Sequence, residues 1–225
     1  MAAPKLKQVY ENSVVLLEAT NNYMKPAKAN TLINLAQSEL FNTLAGSLWQ
    51  YRPKSPDTPI SPQVTSAVAM LLLPYWRSVS LNQTNGIWEF PPNTINQFGQ
   101  LVSINLTFPS GVLGVTTILT NPQYRDRLTS PSQPPSEESA IVGYSSNGFV
   151  IAPTPSTAEM IYYESPALVE IPFINGVPDF DNIPDIGWSY RALPFLTMLV
   201  VRNFGIPINS PALIQIAEQL SKLTL

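Results

Sequence analysis

The sequence predicts an α+β fold, a discontinuous helical bundle from N- and C-terminal helices with a central β-rich insertion, over a single domain spanning 1–225. Three observations lead there. Apolar residues recur at helical spacing through the first fifty residues, the period shortens to two around residue 102, and helical spacing returns after about residue 184. Stripes at both ends of the chain each need an apolar partner, and helices at 4–50 and 184–223 can supply one another.

The elements follow in order. Pro4 suits a first helical turn, and Leu6, Tyr10, Val14 and Leu17, with Val9 and Leu16 beside them, form a broad apolar stripe. Pro26 is expected to end that helix and Asn30 to cap a second, carried by Leu32, Leu35, Ala36, Leu40, Leu44 and Leu48. The stretch RPKSPDTPISP (52–62) places Pro53, Pro56, Pro59 and Pro62 in eleven positions, which removes backbone donors and favours an extended spacer or arm. Val64–Leu73 predicts a short buried helix that Pro74 stops. The β-rich insertion, at about 78–166, centres on Val102, Ile104, Leu106 and Phe108, which alternate with Ser103, Asn105 and Thr107. Shorter strands are expected at Gly86–Phe90, Val112–Leu119, Ala140–Tyr144, Gly148–Ala152 and Ala158–Tyr163, with two helical turns at NPQYRDRLT (121–129). Tyr190, Leu193, Leu196, Val200 and Phe204 predict a helix kinked at Pro194 and ended by Gly205, and Ser210 and Pro211 open a last one.

Composition narrows the function. The 225 residues include neither cysteine nor histidine, which removes thiolate and imidazole metal ligands and the usual general base near neutral pH. Charged residues make up 12% of the chain against an ordinary 44% apolar, so a surface poor in charge is expected, of the kind that subunits bury against one another. The alternative is a monomer clothed in uncharged polar side chains. A net charge of −3 with scattered basic residues gives no general attraction for nucleic acid; Lys5, Lys7, Lys25 and Lys28 read as a solvated helical face. No export signal is expected at the start MAAPKLKQVY, and the longest apolar stretches are too short to span a membrane.

Among the chemically suggestive groups, Asp179, Asp181 and Asp185 lack the spacing and closing glutamate of a calcium loop and read as acids favoured near a helix N-terminus. Glu137 and Glu138 read as solvated loop charges, and Arg125 and Arg127 as separate salt-bridge formers. No phosphate-binding glycine loop occurs. Catalytic, metal and cofactor sites are therefore expected to be absent. The candidate partner-binding residues are Pro53, Pro56, Pro59 and Pro62 of the arm and the aromatic pair Tyr75 and Trp76.

The stretch RLTSPSQPPSEESAIVGYSSNGFVIAPTP (127–155), followed by MIYYESP (160–166), resembles structural proteins of tailed bacteriophages that infect Bacteroidetes. The matching elements are Arg127 with Ser130, Pro135–Ser136, Asn147–Gly148, Pro153 and Tyr163–Pro166, with Trp188 and Gly205–Ile206 in the C-terminal part. The order of helices, β module and returning helices is similar to the neck adaptor proteins of short-tailed phages. That resemblance implies a virion protein without catalytic residues: a homo-oligomeric ring between portal and tail, touching portal, neck or tail proteins, through which DNA passes unread. A tail terminator, baseplate or capsid accessory protein is the nearest alternative, and a non-viral interaction module the next.

Overall fold

The structure, a computed structural model, describes residues 3–50, 62–92, 94–111, 113–181 and 183–206. Pro53, Pro56 and Pro59 of the expected arm and the expected last helix from Ser210 lie outside them. In chain order the elements are α1 (Pro4–Glu18), α2 (Pro26–Gln50), α3 (Pro62–Leu72), β1 (Trp76–Thr84), β2 (Ile87–Glu89), α4 (Thr94–Gln97), β3 (Phe98–Thr107), β4 (Leu113–Leu119), α5 (Asn121–Leu128), β5 (Ser139–Tyr144), β6 (Gly148–Ala152), β7 (Thr157–Glu164), β8 (Phe173–Ile174), β9 (Val177–Pro178) and α6 (Leu193–Asn203). They form two compact units, one from 1–75 with 166–225 and the other from 76–165.

The expectation of a helical bundle carrying a β-rich insertion is overturned. Seven strands close into a barrel in the order β1-β2-β6-β5-β4-β3-β7, which encloses a core of its own. The strand that makes closure possible is β1, which the sequence did not single out. Its residues 76–81 pair antiparallel with β7, and its residues 82–84 turn to pair with β2. Only Leu81 of this strand is buried, so WRSVSLNQT lacks the alternation by which strands are recognised.

The barrel's longest seam, β3 on β7, contains two irregularities of register, at Gly99 and at Val102. Each shift places one extra residue on β3 relative to β7, which bends the strand and advances its side-chain phase by one. Leu101 and Ile104 therefore both face inward, whereas the expected stripe ran through Val102. β4 and β5 pair in parallel, joined by the segment that contains α5, and Gln123 closes a capping box with Thr120 at the start of that helix. Trp88, Leu101, Leu106, Phe108, Phe149, Met160 and Tyr162 are among the side chains that fill the interior.

In the helical unit, α6 packs on both α1 and α2. Leu6, Val9, Leu16 and Leu17 of α1, Ile33, Ala36, Leu40 and Phe41 of α2, and Leu193, Leu196, Val200 and Val201 of α6 are buried. Two prolines act differently from expectation. Pro26 begins α2 instead of ending α1, and Pro194 lies in the first turn of α6, where its missing N–H costs nothing and no kink follows. α3 carries buried Leu72 but exposed Met70, so it is not the wholly buried helix expected.

With α2 starting at Pro26, Asn30 lies inside the helix and caps nothing. Its carboxamide instead receives the Ile171 N–H at 2.9 Å and donates to the Ile171 carbonyl at 3.1 Å. Asn34, one turn on, treats Val169 in the same way, at 2.7 and 2.9 Å. Four helical residues rise about 6.0 Å and two extended residues about 6.6 Å, so carboxamides at i and i+4 match the alternate backbone groups of a strand. α2 thus replaces a neighbouring strand for the segment 169–171, whose Val169 and Ile171 side chains are buried.

Candidate interaction surface

Of the residues singled out in the sequence, Pro62, Tyr75 and Trp76 are among those the structure describes. Pro62 is the first residue of α3. Tyr75 is buried in the helical unit, with Phe41 at 6.0 Å and Trp188 at 4.8 Å between ring centroids, so its ring serves the core. Trp76 opens β1 and is 39% exposed, packing edge-on to Tyr163 at 5.7 Å. Beside it, Arg77 forms an ion pair with Glu164 at 2.6 Å. Adjacent in sequence, Tyr75 and Trp76 belong to different units.

Two of the three aspartates bond the backbone. Asp179 accepts the Asp181 N–H at 2.9 Å, a local turn. Asp185 accepts from the backbone N–H groups of Leu6 at 2.9 Å and Lys5 at 3.3 Å, and the Lys5 ammonium lies 4.0 Å away. An acid near a helix N-terminus was anticipated, but the helix is α1, about 180 residues upstream, not the one that follows. Among the described residues no three His, Cys, Asp or Glu side chains gather as metal ligands.

Glu137 bonds Ser110 and Arg127 bonds Gln133, both on the barrel unit. Leu119, Gln123, Asp126, Arg127 and Ser130 line an open groove of about 360 Å³. Burial raises the phenol pKa of Tyr10, Tyr124 and Tyr163 above 10.0, and the neighbouring Tyr23 adds to the shift at Tyr10.

The exposed apolar surface is unevenly divided. Of thirteen large hydrophobic side chains exposed among the described residues, ten belong to the helical unit. The barrel unit contributes only Trp76, Leu128 and Tyr144. Leu168 is 81% exposed, and Ile174 and Val177 face each other across the β8–β9 hairpin at 60% and 65%. Asn175 and Gly176, both at positive φ, form the two-residue turn between them. Phe173 anchors the hairpin by packing against Tyr10 at 6.1 Å, so the apolar pair is presented from a fixed base. Directly opposed side chains on a two-stranded ribbon lie on one face, which makes Ile174 and Val177 a single apolar point of contact. The sequence carries the signal for this point, an Asn-Gly turn flanked by apolar residues.

No helix among the described residues is long and apolar enough to cross a membrane. No family model and no curated protein matches the chain.

Proposed function

We propose that this chain is a virion structural protein, a head-to-tail connector subunit of the neck-adaptor kind that assembles into a ring between portal and tail. The observation that carries the reading is the concentration of exposed apolar side chains on the helical unit of a chain with only 12% charged residues. A surface poor in charge that carries such groups is of the kind that subunits bury against neighbours. A contact between different faces of identical subunits, repeated about an axis, closes into a ring or grows into a filament. The Ile174–Val177 tip is one side of that contact, and the helical unit of the next copy is the other.

The barrel supplies the rigid part. Its interior is occupied by large apolar side chains, which suits a spacer of fixed dimensions. The segment 76–165 carries three arginines against six carboxylates, the whole of the chain's net charge of −3. A lumen lined by it offers phosphates no attraction and lets DNA pass unread.

Electron microscopy of the purified full chain tests this. Closed rings of uniform diameter are expected, and the double variant Ile174→Asp with Val177→Asp should lose them while melting at the wild-type temperature. Separate, well-folded monomers from the wild-type chain would overturn the proposal.

A further inference from the structure

Three Asn-Gly pairs occur in the chain, at 85–86, 147–148 and 175–176. Such pairs are chemically labile because glycine, having no side chain, leaves its backbone nitrogen open to the neighbouring carboxamide. The fold places the three in two different settings.

Asn85–Gly86 joins β1 to β2, and Asn175–Gly176 joins β8 to β9. Both are two-residue turns with positive φ at each residue, 52° and 80° in the first and 53° and 82° in the second. All four residues are exposed. Among the described residues, neither asparagine side chain bonds another residue and neither glycine N–H donates to the backbone. An added Cβ at either glycine would meet open space, so the turns have room to distort.

Asn147–Gly148 is held. The Asn147 carboxamide donates to Glu89 at 2.9 Å and accepts from the Ser146 hydroxyl at 3.4 Å, and its backbone carbonyl receives the Phe90 N–H at 2.9 Å. Gly148 is buried, and an added Cβ there would collide with the carbonyl of Trp88. The carboxamide carbon can reach the Gly148 nitrogen only after these contacts open.

We propose that Asn175 and Asn85 are sites of spontaneous conversion to aspartate and isoaspartate, and that the contacts of Asn147 protect the third pair. Hydroxide removes the proton from the glycine amide, and the nitrogen attacks the asparagine Cγ. The new N–Cγ bond forms as the Cγ–Nδ2 bond breaks, and the nitrogen of the carboxamide leaves as ammonia, taking its additional proton from water. One water molecule then opens the cyclic imide at either carbonyl. Opening at Cγ restores the normal backbone as aspartate, and opening at the main-chain carbonyl leaves isoaspartate. No oxidation or reduction occurs. At Asn175 the product sets a carboxylate between Ile174 and Val177, and isoaspartate adds a backbone carbon that a two-residue turn does not accommodate.

The test is peptide mapping by mass spectrometry of the full chain after incubation at mildly alkaline pH, once folded and once in urea. The folded protein should convert Asn85 and Asn175 at rates within about threefold of the unfolded chain, while Asn147 converts at least about tenfold more slowly than when unfolded, because it reacts only through local opening. Glu89→Ala should speed conversion at Asn147 and leave Asn175 unchanged. The proposal fails if Asn147 in the folded protein reacts as fast as in urea, or if Asn85 or Asn175 stays intact when folded yet converts in urea.

Discussion

Replacing Asn34 by alanine tests the clasp by which α2 substitutes for a strand. The change removes the two hydrogen bonds to Val169, whose N–H and carbonyl then face a methyl group, and a longer third at 3.4 Å that the Gln37 carboxamide donates. Two net hydrogen bonds at about 1 kcal/mol each, plus partial desolvation of the groups left behind, give a loss of about 2–3 kcal/mol. Alanine returns about 0.5 kcal/mol through its better helix propensity. The net expectation is about 2 kcal/mol, with a similar value for Asn30→Ala, read as a lowered urea midpoint at unchanged slope. The two sites hold one segment, so the double variant should cost less than the sum, with a coupling of about 1 kcal/mol. Asn42→Ala, on the exposed face of the same helix, isolates the propensity effect and should be neutral or slightly stabilising. If Asn34→Ala shifts the midpoint no more than Asn42→Ala, the clasp contributes nothing and the reasoning is refuted.

Asp185→Ala removes the acceptor at the N-terminus of α1 and should cost about 1–2 kcal/mol in urea denaturation, while Asp185→Asn, which keeps a carbonyl acceptor, should cost less. Thr197 has a fully buried hydroxyl with no hydrogen-bond partner among the described residues, so Thr197→Val should be neutral or stabilise by up to about 1 kcal/mol in thermal melts; a clear loss would mean that the hydroxyl has a partner in solution. Tyr10, Tyr124 and Tyr163 have pKa values raised in the folded state, so the unfolded chain ionises first. Their contribution is whole below pH 10, and stability should fall as pH rises above 10.0 through the folded-state values, with a smaller fall in Tyr163→Phe.

Local features were the legible ones. Helical stripes in α1, α2 and α6 and alternation in β3 follow from periods that any burial imposes, and Gly205 with its φ of 106° ends α6 where an unhindered residue was required. Closure of the barrel was not legible, because it depends on β1, whose outward residues carry no period, and on two added residues in β3 that only the pairing with β7 defines. Proline was ambiguous for a related reason. The same residue ends one helix or begins the next, and the choice at Pro26 is made by packing. The roles of Asp185 and Asn34 depend on partners more than a hundred residues away, which spacing along the chain does not reveal. Ile174 and Val177 stood beside a readable turn, but their exposure is a property of the folded surface.

Sedimentation velocity of the full chain at micromolar concentration addresses self-assembly most directly. The account predicts one discrete species at a multiple of 24.8 kDa, which the Ile174→Asp and Val177→Asp pair disperses to 24.8 kDa without loss of folding. A folded wild-type chain that sediments at 24.8 kDa throughout would contradict it.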